Sequence, residues 1–391
     1  VRALPSAIPL PTRGFLAKVV AARTARRRIY LLQAGAAYLR REARALLRRR
    51  ALNALPDVAL ASFEKEAGPL ETAALRATAG RIRPFLTRTL PHMLATVRRL
   101  RREIARRPPD RIVCLPGRDW VARAACLIGQ EAGVPSYDIQ TVFIGPHTRL
   151  VPTAASFQVA LETYSAELFH GFFEMPRARI LLGGGLRLAA EVQAIKATGA
   201  AGGTGTGARP RVLFAASPIL DDCLPVAAAL IEAAREVPDL LVSIRLHPAT
   251  PAEHRAAYER LIRERGSAVA DISAEPDMAL DIARSDLVAT RFSNVGLAAA
   301  LAGKPVLSCE FGDEPLPVSL SEMGIAAPVS GAGAVAAALA DWKSGGAIFA
   351  RLSATQATFR ERNAHLLDPA PDARHAGLMQ ATEAQLGAAA P

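Results

Sequence analysis

The sequence predicts an α/β protein built on parallel sheets, in two halves joined by a linker. Three observations carry the prediction. Short apolar runs of strand length alternate with stretches of helical periodicity from residue 111 onward, the pattern of strand–helix–strand units. A Gly/Ala/Thr tract, ATGAAGGTGTGAR at residues 197–209, interrupts that alternation and has no means of burying apolar surface, so it reads as a flexible linker between halves. Residues 1–110 hold 24 Lys/Arg against 7 Asp/Glu, a net +17, whereas the rest holds 24 against 29, a net −5. The basic charge therefore belongs to a separate leading segment.

The expected organisation is a basic helical segment over 1–109, a first half over 110–196, the linker 197–209, a second half over 210–343, and a C-terminal helix and tail over 344–391. In the leading segment, helical periodicity over 15–28, 30–50, 61–80 and 94–107 is punctuated by Pro56, Pro69, Pro84 and Pro91. Its arginine clusters read either as solvated helix faces or as a surface for an anionic partner. That partner is a polyanion or an anionic lipid face, where each cation contributes about 1 kcal/mol. Nucleic acid fits less well, because aromatic side chains that stack on bases are scarce here.

In the first half, 111–115 reads as a strand, 120–132 as a helix stopped at Gly133, 134–140 as a strand and 141–149 as a loop. A strand over 154–159, a helix over 163–171 and a strand over 179–182 follow, ending at Gly183-Gly184-Gly185. The second half reads as strands at 211–215, 240–246, 269–272, 287–290 and 306–309. Helices at 224–237, 252–266, 277–285, 295–302 and 334–342 separate or close them, then 347–365 is a helix and 370–391 a polar, frayed tail.

One stretch points to chemistry. The strand ending at Leu246 runs into His247-Pro248, and the strand ending at Thr290 turns through Arg291, Phe292, Ser293, Asn294 and Val295 into a small-residue helix. Such a turn offers backbone N–H groups at a helix N-terminus, which carries roughly half a positive charge and holds anions. Arg245 and His247 end another strand of the same sheet, so they belong to the same edge. The phosphates of a nucleotide suit that cradle. Each residue also has a plainer reading: His247 caps a turn before Pro248, and Ser293 and Asn294 are favoured helix N-caps.

Half of the residues are hydrophobic and the chain has 391, enough for a large core. Four cysteines without CxxC spacing fit a reducing cytosol and argue against zinc or a disulfide framework. No apolar run reaches the ~18–20 residues of a spanning helix, and the first residues lack a signal-peptide pattern. The expected location is cytoplasmic, with the basic helices at the inner membrane face.

Arg245-Leu246-His247-Pro248 resembles the His-Pro motif of GT-B glycosyltransferases of the bacterial capsule and teichoic-acid type, such as CDP-glycerol polymerases and sialyl- or Kdo-transferases. Asp286, Thr290, Ser293, Ala299, Gly303, Lys304 and Pro305 are similar to the second element of those enzymes. The resemblance covers residues 110–330. It implies a GT-B-like fold of two Rossmann-like domains and transfer of a sugar or polyol phosphate from a nucleotide-activated donor to a surface polysaccharide or glycolipid. Arg245, His247, Pro248, Arg291, Ser293, Asn294 and Val295 are then the expected donor contacts. Many nucleotide-sugar enzymes carry a ribose-binding Glu where this chain has Ala298, which favours CMP- or CDP-linked donors.

Transfer needs a stabilised leaving phosphate and a base for the acceptor hydroxyl. His247 serves the first role. Asp119 and His147 are the candidate bases, with N-capping and a surface loop as their respective alternatives. The expectation includes no metal and no cofactor, since a helix N-terminus replaces the ion. Two other classes stay open: a nucleotide-sugar 2-epimerase, and a non-catalytic polyanion binder on the same scaffold.

Overall fold

A computed structural model describes residues 85, 89–115, 119–146, 153–201, 209–312 and 316–388. The helices expected at 15–28, 30–50 and 61–80 lie outside them. The described residues fall into two compact units: the first holds those up to Ile112, among them the helix Leu90–Arg106 (α1), and residues 119–134, and the second holds the remainder.

In the first unit, α1 packs with the helix Trp120–Glu131 (α2). Asp119 starts α2 by accepting the N–H groups of Val121 and Ala122 at 2.8 and 2.9 Å, which satisfies two of the donors that every helix start leaves open.

The second unit contains two parallel sheets, apart from Ile112 at the start of the smaller one. The smaller has the strand order β1-β2-β3-β4, with Ile112–Cys114 (β1), Ser136–Ile139 (β2), Phe157–Ala160 (β3) and Ile180–Leu182 (β4). Helix Thr163–Gly171 (α3) connects the last two, and Leu188–Ala201 (α4) leaves the sheet. Here the expected linker is corrected: residues 197–201 continue a helix, because Leu188, Val192 and Ile195 recur at helical spacing and are buried. Residues 202–208 lie outside the described set.

The larger sheet has the order β10-β9-β8-β5-β6-β7, all parallel. Its strands are Arg211–Ala215 (β5), Leu241–Arg245 (β6), Ala270–Ile272 (β7), Leu287–Thr290 (β8), Val306–Cys309 (β9) and Ala327–Val329 (β10). The helices between them are Leu220–Glu236 (α5), Ala252–Arg265 (α6), Met278–Arg284 (α7) and Asn294–Leu301 (α8), with Ala332–Ser344 (α9) and Ala347–Arg362 (α10) after β10. The interior of β5, β8 and β9 is almost unbroken apolar sequence, as strands covered on both faces require. α5 begins earlier than expected and contains Pro225 as its sixth residue, past the first turn, where it forfeits one intrahelical hydrogen bond. β10, with Pro328 inside it, is an edge strand that the sequence did not announce.

The frayed tail is also corrected. Pro371–Ala388 forms a helix (α11) that returns to the small sheet. Tyr137 of β2 donates its hydroxyl to Met379 O at 3.1 Å and meets Thr382 Oγ1 at 2.8 Å. His375, 4 % exposed, lies 3.0 and 3.2 Å from the carbonyls of Gly183 and Gly184. A Cβ on Gly183 would sit 2.3 Å from Val159 Cγ1 and 2.8 Å from His375 Nε2, so glycine there permits the helix to dock.

Candidate functional site

In the larger sheet the chain moves from β5 outward to β6 and β7, then crosses to β8, β9 and β10 on the other side. α5 and α8 therefore leave the C-terminal edges of neighbouring strands in opposite directions. That switch point is where open parallel sheets bind ligands. β5 and β8 are joined in register there, Ala215 opposite Thr290, and Thr290 Oγ1 donates to Ala215 O at 3.1 Å.

The turn after β8 sits at this switch. Ser293 caps α8, its hydroxyl accepting the Val295 N–H at 3.2 Å. α8 is buried along Gly296–Leu301, wedged behind the strands. A Cβ on Gly296 would come within 2.7 Å of Leu320 Cδ1 and 3.2 Å of Thr290 Cγ2, so glycine sets how closely the helix start approaches β8. Ala298, 5 % exposed, lies in that packed core.

Arg291 is the unusual member. Its side chain lies in a residue only 8 % exposed, and it donates from one terminal nitrogen to Asp222 O in the first turn of α5 at 2.9 Å. Its Nε has no partner, and no carboxylate among the described residues forms an ion pair with it. A buried cation without a counter-charge is expensive to maintain. Behind it, burial pushes the Cys309 thiol up to about 12, with Cys223 raising it further and Arg291 opposing. Cys309 is thus an inert thiol at neutral pH.

Asn294, the first residue of α8, spends its side chain elsewhere. Its carbonyl accepts the Phe143 N–H at 3.3 Å and its amide faces Thr141 O at 3.4 Å. This ties α8 to the loop that follows β2. Gly145 in the same loop runs so close to Pro317 that a Cβ would sit 2.1 Å from the Pro317 carbonyl oxygen.

His247 lies one strand further out, exposed, in the turn after β6 together with exposed Pro248. Its Nδ1 accepts the Ala249 N–H at 3.1 Å. The neutral ring therefore carries its proton on Nε2, a donor not used within the turn. Arg245 does not present a free fork. It donates to Asp281 Oδ2 at 2.6 Å, Glu275 O at 2.6 Å and Pro276 O at 3.0 Å. Those bonds hold the turn between β7 and α7 against the end of β6.

Asp286 and Lys304 also work on the scaffold. Asp286 Oδ2 accepts the Arg211 N–H at 2.8 Å. Lys304 Nζ donates to Ala283 O at 3.0 Å and Ser285 O at 2.7 Å, closing the C-terminal end of α7, where a cation is favoured. Burial lowers the Lys304 pKa while Asp286 opposes.

Of the two candidate bases, Asp119 belongs to the first compact unit and is engaged as an N-cap. His147 lies outside the described residues. The turn Arg291–Val295 and the His247 turn thus share one sheet edge, separated by β5.

Two polar groups escaped notice in the sequence. Glu162, fully buried at the end of β3, accepts the Ser165 N–H at 2.9 Å and the Ser165 hydroxyl, while Gln140 Nε2 donates to that hydroxyl at 2.8 Å. No cation among the described residues forms an ion pair with it, and burial raises its pKa. Asp281 is 1 % exposed on α7 and takes Ser273 Oγ at 2.6 Å as well as Arg245. Its trace in the sequence is a carboxylate among the apolar positions Ala279, Ile282 and Ala283. No group of three or more His, Cys, Asp or Glu placed to hold a metal occurs among the described residues. No described helix is long and apolar enough to cross a membrane.

No protein-family model and no curated protein sequence matches the chain. Solved structures do. The UDP-GlcNAc 2-epimerase of Neisseria meningitidis bound to UDP-GlcNAc is 13 % identical, with TM-score 0.52 over 74 % of this chain and 81 % of that one. A glycosyltransferase from Rickettsia africae ESF-5 is 11 % identical, with TM-score 0.51 over 75 % and 81 %. The wall teichoic acid polymerase TagF, at TM-score 0.39, 16 % identity and 60 % and 58 % coverage, is too distant to carry weight. The chain shares with the first two a GT-B-like α/β fold of two parallel sheets.

Proposed function

We propose that the chain is a metal-independent glycosyltransferase. It takes a sugar or polyol phosphate from a CMP- or CDP-linked donor and passes it to an anionic surface polysaccharide or glycolipid, working at the cytoplasmic side of the inner membrane. The observation that carries the reading is Arg291: a buried guanidinium with an unpartnered Nε, two residues before the helix cap at the switch point. A phosphate supplies the missing counter-charge, and the N-terminus of α8 adds its dipole. Val295 contributes through the cap that orients this turn. Asn294 N–H, without a partner among the described residues, is the backbone donor nearest the cap.

His247 is the proton-bearing group for the leaving phosphate, through Nε2. Arg245 holds the strand end that carries it, and Pro248 stiffens the turn. Asp119 and His147 remain the candidate bases for the acceptor.

A thermal-shift series with CMP, CDP, UDP and GDP tests the pocket, because a ligand that binds only the folded state raises the melting temperature. The reading expects the largest shift with a cytidine nucleotide, and none of the four raising it ends the reading. Incubation with UDP-N-acetylglucosamine and no acceptor tests the epimerase alternative. His247→Ala tests the chemistry: unchanged transfer removes His247 from it.

A further inference from the structure

α1 carries four arginines on one face over about two turns of helix. Arg98, Arg99, Arg102 and Arg106 are exposed. At 100° per residue these four fall within an arc of about 100°, roughly opposite buried Thr96 and Ile104. None of the four forms an ion pair among the described residues, and Arg102 Nε donates only to Arg98 O at 3.2 Å. Arg101 differs. It lies outside the arc, and one of its terminal nitrogens donates to both carboxylate oxygens of Glu131 of α2, at 2.8 and 3.0 Å. Glu103 borders the arc and makes no ion pair with it.

Four uncompensated guanidinium groups in one row repel one another, and a solvated face gains nothing from such a row. Residues 1–84 bring no net negative charge to offset it, since they hold 17 Lys/Arg against 5 Asp/Glu. A separate polyanion can. Successive arginines along Arg99, Arg102 and Arg106 rise by about 5 Å each, the scale of one sugar unit, and guanidinium forks suit carboxylates. An interfacial helix would show large apolar side chains beside the arginines. Here Leu94 is the sole large exposed apolar residue of α1, one turn before the row begins. A nucleic-acid groove would interleave aromatics, and α1 contains none.

We infer that Arg98, Arg99, Arg102 and Arg106 form a docking stripe for a linear acidic polysaccharide with one carboxylate per sugar. The choice of a glycan rests on the transferase reading, but the stripe is measured without catalysis. The probe is polygalacturonate, titrated against the full chain at low and high salt, with neutral dextran and equimolar phosphatidylglycerol/phosphatidylcholine vesicles alongside. Arg99→Gln/Arg102→Gln/Arg106→Gln weakens polygalacturonate binding at least about tenfold, whereas Arg101→Gln changes it by about threefold at most. Equal losses in the two variants mean bulk charge and overturn the stripe. An unchanged triple variant overturns it too, and stripe-dependent binding to vesicles but not to polygalacturonate assigns the face to lipid. The cytidine-nucleotide thermal shift of the triple variant reports separately on folding and on the donor pocket.

Discussion

Arg245 and Asp281 meet at 2.6 Å where β6 and α7 come together, with side chains 15 % and 1 % exposed. Arg211 approaches the other oxygen of the same carboxylate at 3.8 Å. One buried carboxylate thus serves two cations on adjacent strands.

Removing that carboxylate leaves charges without a partner. Asp281→Ala is expected to lose about 3–5 kcal/mol of unfolding free energy. The double change Arg245→Met/Asp281→Leu, which removes both charges of the pair, is expected to lose much less. Urea unfolding followed by far-UV circular dichroism measures both.

Arg291 predicts the opposite sign. Without ligand its buried charge opposes folding, so Arg291→Met is expected to gain about 1 kcal/mol in the unliganded protein. The same change abolishes any nucleotide-induced rise in melting temperature. A variant that is less stable and still responds to nucleotide contradicts an uncompensated charge at this place.

Two glycines separate a steric role from a flexible one. Gly145→Ala forces a methyl against the Pro317 carbonyl, 2.1 Å away, and is expected to cost about 1–3 kcal/mol. Gly199 lies inside α4 with nothing within 4 Å of its Cβ position. Gly199→Ala is expected to gain about 0.5–1 kcal/mol. Chemical denaturation of the two variants gives both values.

Glu162 makes stability depend on pH. Burial holds its pKa above the ordinary 4.5, so the native state binds its proton more tightly than the unfolded chain. Its contribution is full below the ordinary carboxyl range and is lost as pH rises through the raised native value. Glu162→Gln keeps a neutral amide there and is expected to flatten the acid side of the stability profile. Urea midpoints from pH 4 to pH 8 decide it, in steps of about one unit.

The larger sheet was legible because its signals are local. Leu287–Thr290 and Val306–Cys309 are short apolar runs, and Gly303, at φ +89°, stops α8 between them as a C-terminal glycine does. The turn at Ser293 and the cap at Asp277 follow from side chains that reach their own backbone. What escaped depends on partners far along the chain. Nothing near Arg245 announces that Asp281 claims its guanidinium. Asn294 looks like a simple cap until Thr141 and Phe143 come beside it. α11 was missed for the same reason: His375, Met379 and Thr382 lie on one face at helical spacing, but a few buried positions among alanines and polar residues look like a solvated end.

The docking of α11 has a consequence for synthesis. His375 and Arg374 meet the carbonyls of Leu182, Gly183 and Gly184 across 191 to 192 positions. A ribosome making this polypeptide completes β4 long before the helix that covers its sheet emerges. Until then Tyr137 and Phe157 stay uncovered, so the small sheet waits on the larger one and matures last. A fragment ending at residue 201 would carry that bare face permanently and self-associate.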